Sequence, residues 1–326
     1  MASCPEKMTS KAKRFAVAIC LAVLVTLGLG PSAWLTAAAK ERPEEIYRKG
    51  ASMISEATSP AFQVEGARLV EEAARLGFRP AQLHLATLYT KGAGVAQDFE
   101  QAHRWFLEAA ERGSIPAAYY VGLQLDLGRG VARDSRGAAK WYTRAADKGH
   151  ADASFQLGLL YEKGDGVPQD FKKAALNYRR AAGKGDISAT YNLALLTEAG
   201  RGMPKDPAAA AKLFIKAAQA GMAEAQTALC ELLLEGKSVE RDPKSAAGWC
   251  RAAAVQGYAP AQMRLASLFG QGLGVAKDIV RAYAWLLLAV RRGYPPALQF
   301  QRGLEPKLSR QTVEQAKALS ETLAEK

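Results

Sequence analysis

Gly77, Gly113, Gly149, Gly185, Gly221, Gly257 and Gly293 stand 36 residues apart, and that interval constrains the fold more than any other feature of the chain. Asp98, Asp134, Asp170, Asp206, Asp242 and Asp278 keep the same interval, as do Ala102, Ala138, Ala174, Ala210, Ala246 and Ala282. Between glycine and aspartate the chain reads KGAGVAQD, LGRGVARD, KGDGVPQD, AGRGMPKD, EGKSVERD and QGLGVAKD. A frame that never slips describes an array. Each unit is one supersecondary element too small to cover its own apolar face, and it is stabilised by stacking on the next.

Each unit reads as two helices. In PAQLHLATLYTK, from Pro80 to Lys91, apolar residues recur at Ala81, Leu85, Leu88 and Tyr89, the three-and-four spacing of one buried stripe. The Gly-x-Gly that follows closes this helix, because glycine reaches the left-handed conformation at little steric cost. The recurring Asp then starts the second helix by accepting from its free first-turn amides and meeting the positive end of the dipole. Pro207 and Pro243, directly after Asp206 and Asp242, fit the first helical position. In DPAAAAKLFIKAAQAG, Asp206 to Gly221, the alanines let neighbouring helices approach closely. Trp105, Trp141, Trp249 and Trp285, with Phe106, Tyr142, Tyr178 and Phe214, fill the space between units. The fold expected is all-α, a right-handed α/α superhelical solenoid with a concave side.

The pattern A-x-x-x-L-G-x-L-Y-x-x-G-x-G-V-x-x-D-x-x-x-A, clearest as ASFQLGLLYEKGDGVPQDFKKA from Ala153 to Ala174, resembles the Sel1-like repeat, a relative of the tetratricopeptide repeat. Six units over 80–295 match it in register. Residues 44–79 are similar to a degenerate first repeat that has the second helix, GARLVEEAARLG, and lacks the Gly-x-Gly and the Asp. The fifth unit carries Ser238 in place of its second Gly. Residues 296–326 hold a half repeat and a final helix capped by Ser309, with a polar outer face that suits the end of an array.

The first 39 residues stand apart. Lys7, Lys11, Lys13 and Arg14 precede the uncharged run FAVAICLAVLVTLGL from Phe15 to Leu29, and Ala37 and Ala39 follow at small-x-small spacing. This is the layout of a secretory signal cut after Ala39; the alternative is an uncleaved anchor over Phe15 to Ala39 in the inner membrane. Ile19 before Cys20 departs from a lipoprotein signal. Either way the domain is expected to be periplasmic or secreted, in an oxidising compartment. The net charge of +12 falls to +9 without residues 1–39, which hold four of the 44 bases and one of the 32 acids. The excess is spread along the chain with no Lys/Arg run, so a nucleic-acid partner is not expected.

A catalytic residue should be singular, whereas a structural one recurs with the period. The six aspartates are therefore caps, and Gly-x-Gly is a turn and not a phosphate cradle. His84, His103 and His150 share no ligand spacing with cysteines or carboxylates, so no metal is expected, and no cofactor motif is present. Cys230 and Cys250 occupy the two helices of the fifth unit, where other units set Ala86 or Gly158 against Phe106 or Tyr178. The cysteine-rich secreted subgroup of the family staples its helix pairs about one turn nearer the open end of the hairpin, and by that likeness a Cys230–Cys250 disulfide is expected. Two buried free thiols are the alternative.

What varies inside a fixed frame is the candidate working surface. One place on the first helix runs His84, Tyr120, Gln156, Asn192, Ala228, Arg264, and the next on that face runs Thr87, Leu123, Leu159, Leu195, Glu231, Ser267. If this row lines the concave side, its aromatic, amide and Arg side chains suit a protein ligand; the other reading is a row facing solvent or the adjacent unit. The resemblance implies an exported non-enzymatic scaffold that binds a protein partner, with envelope signalling or exopolysaccharide assembly among the roles. The alternative it also implies is a cell-wall enzyme or a peptidoglycan- or β-lactam-binding protein. The solenoid contains no Ser-x-x-Lys to serve as its nucleophile. A polyanion-binding role rests on the charge alone.

Overall fold

The computed structural model describes residues 42–324. The signal or anchor expected over 1–39 lies outside them. Among the described residues there are 16 α-helices, one short 3-10 turn and no strand. In chain order the helices are α1 (Pro43–Ser55), α2 (Pro60–Arg75), α3 (Arg79–Lys91), α4 (Phe99–Glu111), α5 (Ile115–Leu127), α6 (Ser135–Ala146), α7 (Ala151–Lys163) and α8 (Phe171–Ala182). They continue with α9 (Ile187–Ala199), α10 (Pro207–Gln219), α11 (Ala223–Glu235), α12 (Pro243–Val255), α13 (Ala259–Gln271), α14 (Ile279–Arg291), α15 (Pro295–Leu304) and α16 (Arg310–Ala324). First helices begin at Arg79, Ile115, Ala151, Ile187, Ala223, Ala259 and Pro295, which number the repeats from one. No helix among the described residues is long and apolar enough to cross a membrane.

The chain divides into two compact units. The first runs through Leu88 and takes in Gly92–Ala96; the second holds Tyr89–Lys91 and everything from Gln97. In the first unit α1 and α2 form a hairpin, closed where Gly50 and Gly66 meet: a Cβ on Gly50 would stand 2.7 Å from the Gly66 carbonyl oxygen. In the second unit each helix from α4 to α14 packs on the next in sequence, and α16 folds back on α14. These are stacked helical hairpins, a solenoid.

The local signals act as their chemistry requires. All six recurring aspartates cap: Asp170 Oδ1, for example, accepts from the Lys173 amide at 2.9 Å, and Asp98 Oδ1 accepts from both Glu100 and Gln101. Each such cap contributes about 1 kcal/mol. Pro207 and Pro243 occupy the first helical position behind their caps. Ser309 accepts from the Thr312 amide at 3.1 Å and starts the last helix.

The second glycine of each Gly-x-Gly serves contact between repeats as much as the turn. At Gly130, φ is +72° and an added Cβ would fall 2.0 Å from the Phe99 carbonyl oxygen at the start of the preceding second helix. The turn of one repeat rests directly on the backbone of the one before. Buried glutamines tie the same seam: Gln226 donates to the Ala218 carbonyl at 3.2 Å and Gln262 to that of Ala254 at 3.1 Å, each reaching the last turn of the preceding helix. Each of these carbonyls also accepts from the glycine amide that ends its helix, Gly221 or Gly257 at 3.0 Å, so the glutamine adds a tie between repeats at a carbonyl already in use.

Candidate functional site

Inside the hairpins of the second, third and fourth repeats a small residue on the first helix faces a large one on the second. Gly122 and Gly158 receive Tyr142 and Tyr178: a Cβ at either glycine would lie 2.7 and 2.6 Å from the nearest ring atom. Ala194 shares a core cluster with Phe214. In the fifth repeat the slot holds Cys230 and Cys250, both wholly buried and joined by a disulfide with Cα atoms 5.5 Å apart. The bond fits an oxidising compartment.

The variable row of the first helices is part-exposed through the second unit. Tyr120 is 38% exposed and lies stacked on Phe106, with ring centres 4.8 Å apart. Gln156 is half-buried and lines a cavity of about 410 Å³ with Asp126, Leu127, Leu159 and Lys163. Asn192 sits against the Tyr178 hydroxyl, which donates to Glu162. Burial, then that bond and charge, hold the Tyr178 phenol far above its ordinary range. Arg264 forms a two-pronged ion pair with Glu231 of the preceding repeat, and burial draws the guanidinium below its usual value. His84, in the first unit, meets the Tyr47 ring edge-on at 5.8 Å. The row therefore does both at once: Tyr120, Asn192 and Arg264 each touch the preceding repeat while staying part-exposed, and Gln156 borders the cavity.

Leu127 (52% exposed) and Leu195 (40%) belong to the same face as Tyr120, with Leu123 and Leu159 half-buried between them. In the seventh repeat the corresponding places are Phe300 on α15, 51% exposed, and Lys307 in the 3-10 turn that follows it, both lining a second cavity of about 510 Å³. Leu127 and Phe300 are absent from the sequence-derived row. Counting that face onward by one turn, 120, 123 and 127, brings in the first, and extending the period past the sixth repeat brings in the second.

Two histidines have structural partners. His150 Nδ1 accepts from the Ala153 amide at 3.3 Å as the cap of α7 and stacks on Tyr119. It shares that place with Ser114 and Asp186, which cap α5 and α9, so the sequence does carry this signal. His103 Nδ1 lies 3.1 Å from Gln124 Oε1. Among the described residues no group of three or more His, Cys, Asp or Glu is placed to hold a metal ion.

Comparison with known proteins follows the same frame. A model of the Sel1 repeat matches residues 79–114, 115–150, 151–186, 187–222, 223–258 and 259–294. Among solved structures, a Sel1 repeat protein of Oxalobacter formigenes is 30% identical over 75% of this chain and 96% of its own, with a TM-score of 0.66. A protective antigen of uropathogenic Escherichia coli with an SLR fold is 25% identical over 87% of this chain and 76% of its own, at a TM-score of 0.49. Helicobacter pylori cysteine rich protein B is 26% identical over 40% of this chain and 92% of its own, at 0.32. No curated protein matches.

Proposed function

Because the chain belongs to the Sel1 repeat family, whose repeats generally mediate protein–protein interaction and are not catalytic, we propose that it is an exported, non-enzymatic scaffold. It docks a protein partner on the first-helix face of the second unit, in the periplasm or outside the cell, in envelope signalling or exopolysaccharide assembly. The observation that carries this reading is the contrast within one helix. Small and apolar residues at the fixed places are buried, while Tyr120, Leu127 and Leu195 stand 38%, 52% and 40% exposed along one face. Large apolar side chains at solvent on one face of the second and fourth repeats, with the half-buried Leu159 of the third between them, are what a docking surface presents. The segment 1–39 supplies the export signal, or the inner-membrane anchor if it stays attached. The Cys230–Cys250 bond supports the same compartment.

The test places a photoactivatable amino acid at Leu127 or Leu195 in intact cells. Lys140 and Lys212, exposed on second helices, serve as controls. Discrete crosslinked species from the first pair and none from the second support the reading; identical patterns from all four sites, or none at any, overturn it. Sequencing the N-terminus of the envelope-recovered protein reads the fate of the leader, with Lys40 as the first residue if cleavage follows Ala39.

A further inference from the structure

We propose that the second helices of the second, third and fourth repeats form a basic face that binds the anionic headgroups of a phospholipid bilayer. This face lies on the other helix of each hairpin from the docking face and does not depend on it. It follows from how the 36-residue period distributes charge.

The first helices α5, α7, α9 and α11 each carry acid and, between them, one base, Lys163. The second helices α6, α8 and α10 carry bases and no acid at all. The second helix before them, α4, holds the ordinary mixture, with Arg104 paired to Glu100 at 2.6 Å. Along the sequence the positive charge is dispersed; stacking gathers it on three consecutive hairpins.

Two rows define the face. Lys140, Leu176 and Lys212 occupy one place of the period, and Arg144, Arg180 and Lys216 the place four residues later, so each helix sets its pair on one stripe. All six are exposed. Arg180 Nη1 reaches Asp147 Oδ1 at the end of α6, 3.2 Å away, which holds α6 and α8 side by side. Among the described residues Lys140, Arg144, Lys212 and Lys216 form no ion pair, and Arg144 lies over the Trp141 ring, 5.1 Å from its centre. A base in the last helical turn complements the dipole, which accounts for Arg144, Arg180 and Lys216. Lys140 and Lys212 stand mid-helix, beyond that effect, and unpaired like charges on one face repel. An anionic surface offsets that repulsion.

Three features select a bilayer. The cations form a grid, two places along each helix and three helices across. A single polyanionic strand follows a line and meets one row, whereas a bilayer presents its phosphates in two dimensions. Leu176, 46% exposed, stands in that grid between Lys140 and Lys212. An apolar side chain flanked by bases is what a protein buries at the headgroup boundary; an acidic peptide or sugar chain would leave it in water. Finally, the acidic first helices are repelled by the same surface, so binding leaves the face of Tyr120, Leu127 and Leu195 open to solution.

The test uses the full chain with a diazirine-bearing amino acid at Leu176, or at Leu127 on the first-helix face, mixed with vesicles of phosphatidylcholine alone or with phosphatidylglycerol added. After irradiation, peptide mass spectrometry reads phospholipid adducts. The Leu176 site should yield at least about fivefold more adduct with phosphatidylglycerol than without, and the Leu127 site little with either. Lys140→Gln, Arg144→Gln, Lys212→Gln and Lys216→Gln together should cut the Leu176 adduct about tenfold or more. The same change at Lys91, Arg129, Lys205 and Lys277, exposed bases at the turns, should cut it less than about twofold. Every arm keeps residues 1–39, so any affinity of that segment for lipid is common to all. Equal adducts at Leu176 and Leu127, no gain from phosphatidylglycerol, or equal losses in the two variants overturns the lipid face; the first two comparisons use no charge variant and stand whether or not one folds. An envelope protein captured at Leu176 in intact cells, in place of lipid, also overturns it and assigns the face to an acidic protein. A lipid adduct carries no protein mass, so Lys140 and Lys212 remain controls for the docking face. Crosslinks at Leu127 without lipid adducts at Leu176, or the reverse, separate the two readings.

Discussion

The third and fifth repeats fill the same internal slot in different ways. In the third, the Tyr178 ring lies against Gly158 and its hydroxyl reaches Glu162; in the fifth, Cys230 and Cys250 cross the hairpin as a covalent bond. Around the slot the frame is unchanged, with Asp170 and Asp242 both capping and alanines buried on both second helices. A Sel1-type hairpin thus needs its helices held at one separation, and it accepts either a packed ring or a cross-link for that purpose. The two devices act on different states. The ring stabilises the folded hairpin by dispersion and burial, whereas in the chain-entropy account the disulfide restricts the unfolded one.

The largest effect is expected from emptying the packed slot. Tyr178→Ala removes a wholly buried ring from beside a glycine that supplies no side chain to refill the space, and it should cost about 3–5 kcal/mol, read as a fall in the urea midpoint by far-UV circular dichroism. The next comes from opening the cross-linked slot. Replacing both cysteines by Ala releases a sequence separation of 20 residues, worth about 3 kcal/mol by loop entropy. In a nearest-neighbour array both losses should be local. Hydrogen exchange should quicken in the mutated repeat and the seams beside it before the rest of the second unit, and uniform quickening would show that the array unfolds as one body.

A smaller difference separates the turns. Gly166 has φ +69°, and a Cβ there would fall 2.3 Å from the Ser135 carbonyl carbon. The fifth repeat carries Ser238 at the corresponding place. Gly166→Ser should cost about 2 kcal/mol, combining a strained positive φ with a backbone clash. Ser238→Gly should be near neutral if the fifth turn has relaxed away from its neighbour. Thermal unfolding of the two variants compares the seams directly.

The frame, the caps, the turns and the cysteine pair were legible in the sequence because each depends on residues close along the chain or on the period itself. Asp170 followed by a helical stripe is a cap wherever the repeat sits. The candidate face was legible only in part. Arg264 and Glu231 stand 33 residues apart, one period less one helical turn, a relation that becomes a contact only after the repeats stack. Nothing in a row of varied residues shows that Arg264, with a side chain 40% exposed, and Tyr120, 38% exposed, each also lie against the preceding repeat, one on Glu231 and the other on Phe106. Likewise Asp126 and Glu162 read as equivalent acids one period apart, yet Glu162 accepts from the Tyr178 hydroxyl while among the described residues the Tyr142 hydroxyl meets no partner.

The smallest effect concerns the Tyr178–Glu162 bond, which the packed slot has and the cross-linked slot lacks. Tyr178→Phe keeps the ring and removes the hydroxyl that donates to Glu162, so near pH 8 it should cost about 1 kcal/mol. The sign changes with pH. The folded Tyr178 phenol is held above its reference value of 10.0 by burial and by Glu162, so its contribution is complete below about pH 10 and is lost as the pH rises, because the unfolded chain ionises first. One pH unit above that point removes about 1.4 kcal/mol from the parent, and the Phe variant has no such proton to lose. The two urea midpoints should therefore cross between about pH 10 and pH 11, while removing the Cys230–Cys250 bond, which places no phenol in its slot, should cost the same amount at pH 8 and pH 10. A Tyr178→Phe deficit that stays constant through this range would mean that the hydroxyl meets water in the folded state, and the packed slot would then be less enclosed than the one closed by the disulfide.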